Sequence, residues 1–239
     1  MLYQCDFSTS EMDYSKMMSD VSVKLHGIIM KEIPTELAGK MHSNDYHPFS
    51  VFAVPVEDRI VIRVSALNDE AMDILNVFRD KDHFRIYGMD RPLVITGFME
   101  KQPVAADDLS IFGDSNRCRI SFVTPAMYKS EGKQMCRPYI EKYFNSVISK
   151  YNRFEGSDVK FDVFAEALNE CEYQSFQFQS YRYHVSGLNI RGLTGHCDLK
   201  LPDDKTKRDL LLTMFQYASY CGVGGKTSMG MGGFTASPL

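Results

Sequence analysis

A chain of 239 residues, 44% of them hydrophobic, can bury one large core or two of ordinary size, which excludes a disordered protein. Its opening, MLYQCDFSTSEMDYSK, is polar and acid-containing, and no later run reaches the length of a membrane span, so the expectation is a cytoplasmic protein without a membrane partner. The net charge of −4 hides an asymmetry: residues 1–115 carry 11 basic against 19 acidic side chains (−8) and residues 116–239 carry 16 against 12 (+4), so a polyanion would favour the second part.

In chain order, LYQCDF reads as a strand, VSVKLHGIIMKEI and TELAGKMH as helices separated by a proline, and FSVFAV and RIVIRVSAL as two strands joined by the polar PVED. EAMDILNVFRD then reads as a helix, and HFRIYG and RPLVITGFM as strands. This β-α-β-β-α-β order is the ferredoxin-like unit. KQPVAADDLSIFGDSN interrupts it with proline, acids and glycine and predicts a linker, giving one domain over 1–108 and a second over 116–239.

The second part repeats the plan. RCRISFVTP is a strand expected to end at Pro125, RPYIEKYFNSVISKYNRF a helix, SFQFQSYRYHVSG and GLTGHCDLKL strands, and KTKRDLLLTMFQYASY a helix that leads through a glycine-rich loop to a last strand position. The fold class is therefore α+β, with tandem ferredoxin-like (RRM-like) domains. Sheets of this kind serve as RNA platforms, and Phe176, Phe178, Tyr181 and Tyr183 are the strand aromatics that could stack on bases, at least half of them being expected in the core.

No metal and no cofactor are expected. The cysteines at 5, 118, 136, 171, 197 and 221 form no C-x-x-C pair and read as reduced, and His196 and Cys197, being adjacent on a strand, point to opposite faces. Six of the sixteen glycines fall between Gly222 and Gly233, around Lys226. Gly225, Lys226 and Thr227 look like the end of a P-loop, but Tyr220 stands where that motif needs its first glycine and a helical rather than a strand pattern precedes it. Two readings remain, a glycine-rich helix cap and tail, or a close backbone approach to a polyanion.

Three stretches, SFVTPAMYK, GLTGHCDLKL and GVGGKTSMGMGG, carry a resemblance to the CRISPR-associated endoribonucleases that process precursor CRISPR RNA. The last, a helix followed by G-x-G-x-K-T-x-x-G-x-G, is the most specific. The resemblance implies metal-independent cleavage of the repeat RNA by its own 2′-hydroxyl, leaving a 2′,3′-cyclic phosphate and a 5′-hydroxyl. It also implies RNA contacts along the loop, at Gly222, Gly224, Gly225, Lys226, Thr227, Ser228, Gly230 and Gly232. Relatives place a histidine after the first helical region, where LAGKMH supplies His42, and a proton-handling residue just before the second strand, where HSNDYHPFS supplies His47. A tyrosine common upstream of that histidine is replaced here by Met30, so Tyr46 or His26 is left for the third role. Histidines suit both proton transfers near neutral pH. The partners the resemblance implies are precursor CRISPR RNA, subunits of an effector complex and a second copy of the chain. A non-cleaving RNA-binding subunit of the same fold and a small-molecule-binding protein of this fold are the alternatives.

Overall fold

The computed structural model describes residues 1–10, 18–43, 46–57, 59–87, 91–109, 115–185 and 187–239, the side chains at 18–20, 42, 43 and 55 excepted. Alternation builds the first sheet. In β1 (Tyr3–Thr9), Cys5 and Phe7 turn into a core with Ile60, Ile62 and Val64 of β3 (Arg59–Ala66) and Val51 of β2 (Phe49–Val56). Helices α1 (Met18–Glu32), α2 (Thr35–Ser43) and α3 (Met72–Arg79) cover that face, supplying Leu25, Ile29, Leu37, Met41, Ile74 and Phe78. With β4 (His83–Phe84) and β5 (Leu93–Glu100) the strand order is β2-β3-β1-β5-β4, all neighbours antiparallel. Only His83 and Phe84 of the expected strand HFRIYG pair with β5, because the segment beyond them leaves the sheet.

The second sheet has the order β11-β6-β10-β9, from β6 (Arg117–Ala126), β9 (Glu172–Val185), β10 (Leu188–Lys200) and β11 (Phe234–Pro238). Between β6 and β9 lie a small hairpin, β7 (Tyr128–Ser130) with β8 (Lys133–Met135), and two helices, α4 (Ile140–Glu155) and α5 (Phe161–Asn169). Helix α6 (Lys205–Cys221) follows β10. Each sheet, read by connection, is thus a β-α-β-β-α-β unit with its first and third strands central, which makes the fold tandem ferredoxin-like.

Two details depart from the sequence expectation. β6 continues past Pro125 to Ala126: β11 pairs only as far as Phe122 and β10 has its irregularity opposite this point, so no ladder bond is asked of the missing N–H. The hairpin β7–β8 and helix α5 are additions. Glu131 and Gly132, both at positive φ, form the hairpin's two-residue turn, a conformation whose chemistry Glu131 does not advertise.

The halves meet through polar groups that each supplies to the other. The last carbonyls of α6 have no partner within the helix. Ser219 O accepts from Gln4 Nε2 (2.9 Å) and Tyr220 O from Ser50 Oγ (2.6 Å), both on the face of the first sheet turned away from its own helices. Gln4 also donates to Ser65 Oγ, and all three side chains are buried. Among the described residues no helix is long and apolar enough to cross a membrane.

Candidate functional site

Pro34 separates α1 from α2, and His42 falls in the last turn of α2. The His42 side chain lies outside the described residues, but the surroundings of that turn are defined. Lys40, two residues earlier, pairs with Glu70. The other Glu70 oxygen accepts from the Tyr46 hydroxyl (2.8 Å), which itself accepts from Asn68 Nδ2 (2.8 Å). Glu70 thus grips both α2 and the segment that follows it. Its carboxyl is held below the usual range, first by the Lys40 bond and then by Tyr46. The Tyr46 phenol is pushed up, chiefly by burial. The hydroxyl is therefore engaged on both sides. His47, half-buried, comes next in an extended segment that enters β2 through Pro48, whose carbonyl accepts from Leu67 N (2.8 Å).

The ring of Tyr46 reaches the other half. It meets Phe154 edge-on, with centroids 5.5 Å apart, and Arg153 lies over its face at 5.1 Å. One turn back on α4, Lys150 Nζ donates to Cys221 O (2.9 Å) and to Thr227 Oγ1 (2.7 Å), at the start and middle of the glycine-rich loop. The end of α4 therefore touches the histidine segment of the first half and the Lys226 loop of the second within a single helical turn, about 5.4 Å of rise. Lys150 carries no sequence signal: it occupies one polar position of an amphipathic helix.

Helix α1 approaches the same loop. Ser22, buried, accepts from Ala53 N (3.0 Å) and lies beneath Gly230, where a Cβ would come within 2.2 Å of it. His26, one turn further along, stacks on Phe49 with centroids 5.9 Å apart and planes 8° off parallel. Met30 packs against the first core.

The loop itself departs from the picture of glycine amides open to phosphates. Gly222 N donates to Ala218 O, Gly224 N to Tyr143 O, Gly225 N to Met127 O and Gly232 N to Pro125 O. Gly224 and Gly232, at φ near +70°, leave 2.1 Å and 2.0 Å from a would-be Cβ to the carbonyl oxygens of Met127 and Val223. The close approach that glycine permits is made here by the protein to its own backbone. Thr227 and Ser228 are buried in a 3-10 turn. Lys226, half-buried and itself at φ +62°, opens that turn; among the described residues the amides of Lys226, Thr227, Ser228 and Gly230 show no backbone acceptor, and that of Gly233 donates to Thr124 Oγ1. Of the strand aromatics, Phe176 and Tyr181 are exposed, Phe178 is half-buried against Phe122, and Tyr183 is buried with its hydroxyl donating to Met229 O (3.0 Å).

A separate groove of about 300 Å³ lies between the two sheets, lined by Asp6, Phe52, Val61, Arg63, Met99 and Val123 among others, and no histidine lines it. Among the described residues no cluster of metal-ligating side chains is formed.

Four-stranded antiparallel sheets backed by helices, here present twice, are the architecture of a common class of RNA-binding module. The family model for the CRISPR-associated endoribonuclease Cas6 matches residues 120–234. The curated Cas6 endoribonuclease of Streptococcus thermophilus is 24% identical over 221 residues, 90% of each chain, and that of Mycobacterium tuberculosis is 24% identical over 223 residues, 90% of this chain and 71% of the relative. Among solved structures, a Cas6 product complex superposes with a TM-score of 0.78 at 17% identity, covering 99% of this chain and all of the other. Thermus thermophilus Cas6 gives 0.72 at 16%, covering 99% and 98%, which establishes the shared fold. Over most of its length the chain is thus similar to CRISPR-associated endoribonucleases of the Cas6 family, whose fold it shares.

Proposed function

We propose that this chain matures guide RNA by cutting CRISPR repeat RNA, residues 1–108 supplying the proton-transfer groups and residues 116–239 the glycine-rich loop. In the reaction the 2′-hydroxyl oxygen attacks the adjacent phosphorus, its proton passes to a base, the P–O5′ bond breaks, and an acid protonates the departing oxygen. The products are a 2′,3′-cyclic phosphate and a 5′-hydroxyl. The nucleophile belongs to the RNA, so alignment and two proton transfers suffice and a metal ion is not needed. His42 and His47 carry the protons, and Lys226, with the amides through Ser228, takes the phosphate charge. Tyr46 is assigned a positioning role, since its hydroxyl is held by Glu70 and Asn68 and its ring by Arg153 and Phe154. The observation that carries the reading is the meeting of the histidine segment and the Lys226 loop at one turn of α4.

Protein partners in this reading are a second copy of the chain and effector subunits that take over the processed RNA. The substrate is a cellular transcript, which supports a cytoplasmic location. The test uses repeat RNA in the presence of a chelator, with the product ends identified. His42→Ala is expected to slow cleavage about 100-fold to 10,000-fold with binding nearly unchanged. A 2′-deoxy nucleotide 5′ to the scissile phosphate should abolish cleavage by the parent. Full activity of the His42→Ala, His47→Ala double variant would refute the assignment, and binding without any cleavage by the parent would leave a non-cleaving RNA-binding subunit.

A further inference from the structure

Lys226 stands where glycine would take up the backbone conformation more easily. Its φ of +62° and ψ of +33° lie in the left-handed region, which an L side chain disfavours. The same loop uses glycine at its other positive-φ positions, 222, 224, 230 and 232. The two further non-glycine residues at positive φ among those described, Glu57 and Glu131, are exposed between paired strands, whereas Lys226 is half-buried in a loop of mostly buried residues. A residue in such a conformation persists only where its surroundings over-determine it, and residues of this kind gather at functional sites.

The surroundings that hold it can be named. Gly225 N donates to Met127 O (2.8 Å) on one side, and Lys226 O accepts from Met229 N (3.0 Å) on the other. A further hold comes from outside the loop. Lys150 Nζ donates to Cys221 O (2.9 Å) and to Thr227 Oγ1 (2.7 Å), so one ammonium fastens both ends of the stretch that carries Lys226. Lys150 stands on α4 among Val147, Ile148 and Tyr151, all buried in the core of the second half, so the hold is exerted from a rigid element. The Lys226 ammonium makes no hydrogen bond or ion pair among the described residues.

We propose that Lys150 is a positioning residue for RNA cleavage: it fixes the loop at Thr227 so that the Lys226 ammonium stands where negative charge builds on the scissile phosphate. The assignment rests on the proposed cutting of repeat RNA and adds to it a residue that does not touch the substrate. Two of the three N–H donors of Lys150 are engaged by the loop, and the bond to Thr227 falls on the residue directly after Lys226. Displacing a charge-stabilising group by about 1 Å costs on the order of 100-fold in rate, so a hold of this kind is felt in the chemical step.

The experiment uses the full chain and measures two quantities separately. One is the single-turnover rate on repeat RNA at saturating protein. The other is the affinity for the same RNA carrying a 2′-deoxy nucleotide 5′ to the scissile phosphate, which is bound without being cut. Lys150→Met, close to lysine in length, is expected to slow cleavage about 100-fold while affinity for the uncut RNA stays within about threefold. Thr227→Val removes one acceptor, keeps the shape and should show the same split with a smaller loss, which keeps the test open if Lys150→Met does not fold. Lys226→Gly should raise the melting temperature and also cut slowly. Adding Lys150→Met to Lys226→Gly should slow cleavage no further, because Lys150 acts through Lys226. Four results overturn the proposal while the parent still cuts: losses that multiply in the double variant, affinity for uncut RNA that falls as far as the rate, a lowered melting temperature in Lys226→Gly, or parental cleavage by Lys150→Met and Thr227→Val. A parent that binds repeat RNA and leaves it intact removes the proposed function itself, and this assignment with it.

Discussion

The two halves share a strand order and even a cross-strand ion pair, with its polarity exchanged. In the first sheet Asp6 on the first strand accepts both bonds from Arg63 on the third (2.6 Å each). In the second, Arg119 on the first strand gives both bonds to Asp198 on the third (2.6 and 2.8 Å). They differ in the connection from last helix to last strand. In the first half this runs from α3 through β4 to β5, with Phe84 and Ile86 buried in that half's own core and Tyr87 93% exposed. In the second it is the buried loop between Cys221 and Phe234, fastened to Met127, Pro125, Tyr143, Ser22 and Lys150. Equivalent places in a repeated fold can thus serve only their own half in one copy and be packed against the other half in the second.

The comparison is broken most severely by substitution of its glycines. Gly232→Ala puts a Cβ 2.0 Å from Val223 O at φ +69° and should destabilise by about 3 kcal/mol or more, lowering the melting temperature by about 6–12 °C. Gly97→Ala in the first half, with no atom within 4 Å, should stay within about 0.5 kcal/mol. Equal melting temperatures for the two variants would remove the contrast.

A smaller effect is expected where the halves are clamped. Tyr46→Ala loses the contact with Phe154 and Arg153 and both hydrogen bonds, and should cost about 2–3 kcal/mol in a denaturant titration. Tyr46→Phe keeps the ring, should cost about 1 kcal/mol, and should retain most of the cleavage rate. A 100-fold loss of rate in Tyr46→Phe, with stability preserved, would show that the hydroxyl moves a proton and is no clamp.

The smallest effect concerns the second ion pair. Hydrogen bonds from Arg119 hold the Asp198 carboxyl at about 2, against the opposing pull of burial. A carboxyl depressed in the folded state stabilises fully above its unfolded value near pH 4, and that contribution fades as pH falls through about 2. The parent should therefore lose urea resistance between these values more steeply than Asp198→Asn. Because Arg119 is partly exposed, the difference should be modest and shrink in salt. Parallel curves would show that the pair contributes nothing.

What the sequence reveals depends on which contacts a residue makes. Alternation in RIVIRVSAL and RCRISFVTP, and helical spacing in the three longest helices, α1, α4 and α6, follow from burial on one face, so the strand order was legible. Helix α5, nine residues without a cap side chain, and the turn at Glu131 give weak local signals. The glycine-rich loop was conspicuous, but composition cannot tell whether the missing side chains make room for a ligand or for Met127 and Val223. The hold of Lys150 on Thr227 spans 77 positions and the hold of Glu70 on Tyr46 joins a turn to a loop, and neither follows a period.

The bond from Gln4 to Ser219 spans 215 positions, and it has a temporal side. At a translation rate of about 5–20 residues per second, Gln4 leaves the ribosome roughly 10–40 s before its acceptor exists. For that interval the second Gln4 amide hydrogen and the Ser50 hydroxyl must be satisfied by water, and the first sheet waits with one face unfinished. The histidine segment can fold early, but the Lys226 loop that α4 holds close to it is among the last parts of the described chain to be synthesised, so in the proposed reading an emerging polypeptide holds no assembled site with which to act on RNA.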